Sequence, residues 1–172
     1  VFLFRQSTMQ SVPKELIDAS RIDAHGPDVR RFTKTRTITA PAQDVYDAWA
    51  TDRGTLRAMG REDGQMTANI EQKIGGSYEW LWDGKTGSNG CQTLCYIPGR
   101  MIAFTWNAPP SLPTRDRRTW VVVQITPVDD TTSELTLTHS GFGEGNDWDR
   151  TYDYFNEAWD FVLNTFEENL TD

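Results

Sequence analysis

The side chains best able to do chemistry in this sequence are one histidine in a strand, a set of tryptophans and phenylalanines, and a short arginine run. His139 follows Leu135 and Leu137 at strand spacing, which turns its imidazole toward the face those leucines cover. An imidazole there could orient a ligand or move a proton near neutral pH. The plainer role is a core histidine tied to a backbone carbonyl, and no Ser, Cys or carboxylate can be assigned to it as a triad partner. Trp80, Trp82, Phe104, Trp106, Trp120, Phe155 and Trp159 form the second group. An indole joins a large apolar face to an N–H donor, a combination suited to lining a small-molecule cavity, although the same rings also serve as plain core filling. Arg115, Arg117 and Arg118 make the only compact basic cluster. They could hold a carboxylate at a pocket mouth or contact an acidic partner, or form a solvated strand end.

Two further patterns are weaker. Cys91 and Cys95 stand four apart in a strand-like segment, which separates their Cα atoms by roughly 13 Å and puts a disulfide out of reach. With no Cys-x-x-Cys and two distant histidines, the sequence calls for no metal and no cofactor. Gly141-Phe-Gly-Glu-Gly145 precedes a helix but lacks the Gly-x-Gly-x-x-Gly spacing, and Glu144, Asp147 and Asp149 would repel a phosphate there. It reads as a strand-to-helix connection, with a cavity gate as the functional alternative.

The elements that must position these groups follow from periodicity. Phe32 to Thr39 alternates like a strand, and Ala40-Pro41 opens a helix with Val45, Ala48 and Trp49 on one stripe. Asp52 is placed to cap a second short helix ending at Gly60. Met66 to Ile74 then reaches Gly75-Gly76, a pair suited to a tight hairpin turn, and returns through Tyr78, Trp80 and Trp82. Strands are predicted over Cys91–Ile97, Met101–Trp106, Arg117–Pro127 and Ser133–Phe142. The longest helix follows, with Asn146 as its expected cap. Trp148, Tyr152, Phe155, Trp159, Val162, Phe166 and Leu170 recur on it at steps of three and four. Strands in a run with helices at the ends predict an α+β fold, an antiparallel sheet of six to seven strands packed on that helix.

The chain has 172 residues, a length that predicts one domain over 31–172 after an N-terminal extension over 1–30, with a short helix expected over 14–20. Its net charge is −8, and residues 143–172 carry nine acidic residues against Arg150 alone. So concentrated a negative charge argues against nucleic acid and anionic membranes as partners. No run approaches the ~20 apolar residues of a transmembrane helix, and Val1-Phe-Leu-Phe4 is too short for a signal-peptide core. A cytoplasmic location is expected; the sequence leaves the oligomeric state open, a homodimer included.

Four segments together carry a resemblance. Thr37-Ile-Thr-Ala-Pro-Ala-Gln-Asp-Val-Tyr-Asp-Ala-Trp49, Ile74-Gly-Gly-Ser-Tyr-Glu-Trp80, Pro98-Gly-Arg-Met-Ile-Ala-Phe-Thr-Trp106 and Leu135-Thr-Leu-Thr-His-Ser-Gly-Phe142 resemble successive motifs of the SRPBCC (START-like, Bet v 1-like) superfamily. The branch most similar comprises domains like the C-terminal part of the activator of Hsp90 ATPase, over about residues 34 to 168. The resemblance implies a helix-grip fold, a curved sheet wrapped around the long helix with a cavity between them. It supplies no shared catalytic set. The leading expectation is therefore non-catalytic binding of a small apolar or aromatic molecule. A protein-interaction, co-chaperone-like module is the first alternative, and a cyclase- or lyase-type enzyme using His139 the second.

Overall fold

The computed structural model describes residues 29–171. The predicted short helix over 14–20 lies outside them, as does all of the predicted extension but Val29 and Arg30. Along the chain run β1 (Arg30–Ile38), α1 (Ala42–Ala50), α2 (Asp52–Ala58), β2 (Met66–Ile70), β3 (Tyr78–Trp82), β4 (Thr86–Gly87), β5 (Thr93–Ile97), β6 (Met101–Trp106), β7 (Thr119–Pro127), β8 (Ser133–Phe142) and α3 (Asn146–Leu170). A five-stranded sheet has the order β1-β8-β7-β6-β5, and a smaller one the order β2-β3-β4, antiparallel throughout. This is the expected α+β arrangement, with two short helices after the first strand and the long helix last.

The two sheets are stitched together where a tight turn was expected. β2 stops at Ile70, and Gly75-Gly76 instead face β5: the Gly75 N–H donates to Thr93 O (2.8 Å) and the Thr93 N–H donates to Gly76 O (2.9 Å). Gly75 has φ +76°, and a Cβ on Gly76 would lie 2.8 Å from that of Glu71, so the glycines serve a close backbone approach rather than a two-residue hairpin. Tyr78 continues the seam, its N–H donating to Cys91 O (2.9 Å). The curved surface this creates carries β3 over toward α3.

Two helix caps also differ from expectation. Thr51 caps α2, its hydroxyl accepting from the Gly54 N–H (3.0 Å), while the Asp52 carboxylate accepts from the Ile70 N–H (2.6 Å) and pins β2 to the helix. At α3 the cap is Gly145 with φ +97°, and Asn146 is already helical. A non-glycine residue would resist that backbone.

The core is built from the inner sheet face, α1 and the stripe of α3. Trp49 is wholly buried and meets Trp80, Phe104, Trp159 and Phe166, its nearest ring being Phe166 at 4.8 Å. Phe155, Trp159, Phe166 and Leu170 are buried as the stripe predicts, joined by Thr151 and Leu163, while Trp148, Tyr152 and Val162 are half-buried at its edges. Asp160 does not simply face water. It accepts from Lys34 Nζ (2.7 Å) and Arg36 Nη2 (2.8 Å) across the inner side of edge strand β1, and those hydrogen bonds hold its carboxyl below the usual carboxylate range. Inward charges on an edge strand also discourage pairing with another chain.

The two cysteines separate by environment. Burial pushes the Cys91 thiol up to about 11, whereas Cys95 is exposed. A thiol reagent on the native protein is expected to modify Cys95 promptly and Cys91 only after denaturation, because the thiolate is the nucleophile. Equal rates for both would contradict this packing.

Candidate functional site

The alternation that puts Trp80 on the inner face of β3 puts Trp82 there too, at the end of the strand. Trp106 at the end of β6 continues the same surface. Opposite them, α3 presents Phe155, Trp159 and Val162. Between these two walls lies an open cleft of about 330 Å³, to which Met59 also contributes. Its rim is aromatic and exposed: Trp82 is 38% exposed, Tyr154 44% and Phe161 62%.

An adjoining hollow of about 130 Å³ shares Trp80, Trp82, Trp106, Tyr154 and Phe155 and adds Ser88, Asn107, Pro109, Pro110 and Arg115. The apolar cleft thus runs on into a more polar end. Gly87 makes that end possible. A Cβ there would stand 1.8 Å from Trp80 O, so only glycine lets the short β4 lie this close to β3. The next residue, Ser88, accepts from the Trp80 N–H through Oγ (2.7 Å), fixing the backbone that carries the indole. Among the described residues, three buried side-chain polar atoms lack a hydrogen-bond partner, and two belong to residues lining this hollow: Trp80 Nε1 and Asn107 Oδ1. The third is Trp49 Nε1.

His139 stands behind the cleft wall. It is completely buried, and burial pulls its pKa down to about 3, so it is neutral at physiological pH. The Trp159 indole N–H donates to Nδ1 (2.9 Å), which makes Nδ1 the acceptor and assigns the proton to Nε2, 2.8 Å from Thr119 Oγ1. The Thr119 hydroxyl donates in turn to Trp106 O (3.2 Å). One chain of hydrogen bonds therefore ties together two residues of the cleft wall, Trp159 and Trp106. Both nitrogens are occupied and no carboxylate accompanies them, so the geometry gives His139 the work of positioning Trp159.

The aromatics singled out in the sequence divide accordingly. Trp80, Trp82, Trp106, Phe155 and Trp159 come together around the cleft. Phe104 is wholly buried and stacks on Tyr78, with ring centroids 3.7 Å apart, as core filling. Trp120 pairs across the ladder with Thr105 and therefore points to the opposite face from Phe104 and Val121; it is 39% exposed and covers Gly141 instead. Its expected place in the cavity is thus corrected by strand parity. The arginines diverge as well: Arg115 lines the polar hollow, Arg117 a separate surface depression beside Glu144, and Arg118 reaches Asn89 O (3.1 Å). Sequence reasoning missed Tyr154, Ala158 and Phe161. Their spacing of four and three on an otherwise acidic flank was the available signal.

The family described as "Activator of Hsp90 ATPase homolog 1-like protein" matches residues 39–171. Solved structures with the same fold include a protein from Mesorhizobium loti, at 21% identity and TM-score 0.65, covering 82% of this chain and 96% of that one. An HSP90 activator from Plasmodium falciparum aligns at 17% identity and TM-score 0.62, over 80% of this chain and 93% of its own. The Aha1 dimer from Colwellia psychrerythraea aligns at 18% identity and TM-score 0.60, over 83% and 96%. A comparison with curated proteins finds no match.

Proposed function

The chain belongs to the Activator of Hsp90 ATPase homolog 1-like family, and from that premise we propose that it binds a small apolar or aromatic molecule, without transforming it, between the sheet and α3. The observation that carries this reading is the cleft itself, about 330 Å³ of open space walled by Trp80, Trp106, Phe155 and Trp159. That size falls at the lower end of small-molecule sites, which are commonly apolar with a few placed polar groups. The neutral, doubly engaged His139 supports binding rather than turnover. Native mass spectrometry of gently purified protein, followed by extraction, tests it. A co-purified small molecule, displaced by an added aromatic compound, is the expected outcome. A mass unchanged by any of a broad set of apolar compounds would defeat the reading.

A second reading is a protein-docking module. The exposed rim residues Trp82, Tyr154 and Phe161 favour it, as does the name of the Plasmodium falciparum protein, an HSP90 activator. Binding to purified Hsp90 that is lost in Phe161→Asp, from a protein silent toward small molecules, would favour docking.

A further inference from the structure

We infer that the molecule taken by the cleft is an amphiphile whose polar end is a carboxylate, received by Arg115 in the hollow beside Asn107. The inference rests on the ligand-binding reading above and adds the chemistry of the head. Arg115 is held in place by neutral groups. Its Nη1 donates to Ala108 O (2.5 Å), and its Nη2 donates to Gly87 O (2.8 Å) and Asn89 Oδ1 (3.0 Å). A guanidinium has five N–H donors, so the Nε–H and one Nη1–H are left over. Among the described residues no carboxylate lies within ion-pair distance of it, and no Asp or Glu lines the hollow. A cation anchored by three carbonyl oxygens and given no anion is a preorganised receptor for one.

The two spare guanidinium N–H groups are both donors, so the head that satisfies them is an acceptor. The hollow is continuous in its lining with the apolar cleft, through Trp80, Trp82, Trp106, Tyr154 and Phe155, so a molecule headed at Arg115 has its apolar body among the tryptophans. The overall charge of −8 opposes an anion only at long range, where it is screened beyond about 8–10 Å at physiological salt, while Arg115 acts at contact.

The test compares phenylbutanoate, its isosteric neutral amide phenylbutanamide, and butylbenzene by titration of the intact protein and of Arg115→Gln. The acid is expected to bind roughly tenfold tighter than the amide, as charge-assisted hydrogen bonds outweigh neutral ones, and Arg115→Gln is expected to erase that preference while butylbenzene still binds. Acid and amide binding equally, or an acid preference that survives in Arg115→Gln, would overturn the carboxylate inference and leave the cleft reading standing. Silence from all three would sink both. Should Arg115→Gln fail to fold, because it loses the clasp on Ala108, Gly87 and Asn89, the acid-to-amide ratio of the unaltered protein still decides.

Discussion

Ala158→Trp is expected to weaken binding of an apolar probe such as butylbenzene at least tenfold while leaving the unfolding free energy within about 0.5 kcal/mol. Ala158 lies on the flank of α3 that lines the cleft, beside Phe155, Trp159 and Val162, and is only half-buried. An indole there occupies the volume the ligand needs without displacing a core side chain, and on a helix surface the change of propensity is small. The variant thus separates binding from folding, which truncation of Trp106 or Trp159 would confound. Calorimetric titration and a denaturant melt check the two halves. Undiminished binding would mean that the probe sits elsewhere.

His139→Leu is expected to lower stability by about 3 kcal/mol at neutral pH, since it leaves the buried Trp159 N–H without an acceptor and removes the partner of Thr119. Its effect on pH dependence is the sharper signature. The folded pKa of about 3 lies below the ordinary 6.5, so the unfolded chain takes up the proton first as pH falls. The stability tied to a neutral His139 is complete above pH 6.5 and is lost progressively as pH drops toward 3, with a slope of at most about 1.4 kcal/mol per pH unit. Denaturant melts of the two proteins between those limits should converge as pH falls. A constant difference across the range would show that His139 is not held neutral by burial. Losing its hydrogen bond should also loosen Trp159, so probe affinity is expected to drop with stability.

Most of the fold was legible because periodicity reports which face of an element is covered. The strand alternation through Tyr78, Trp80 and Trp82 and the stripe from Phe155 to Leu170 depend on local spacing alone, and both stand in the structure. Long-range pairing was beyond that signal. Gly75-Gly76 looks like a hairpin turn in isolation, yet its backbone groups are taken by Thr93 on β5. Residue type alone puts Trp120 in the cavity, and only the register against Thr105 shows that it faces outward. Helical spacing places Asp160 off the apolar stripe, and the two cations that claim it come from β1, over a hundred residues away. The histidine's partners are each 20 residues off in opposite directions, Thr119 in a neighbouring strand and Trp159 in the helix. No spacing rule reaches them.

A ligand held between sheet and helix should be reported by the indole N–H resonances of the seven tryptophans in a ¹⁵N-labelled sample titrated with phenylbutanoate. Trp80, Trp82, Trp106 and Trp159 line the cleft, whereas Trp120 lies on the opposite face of the sheet and serves as an internal control. Saturable shifts of the four cleft indoles with Trp120 unmoved are expected. Shifts confined to Trp120, or no saturable shift at any of the seven, would contradict a ligand held there.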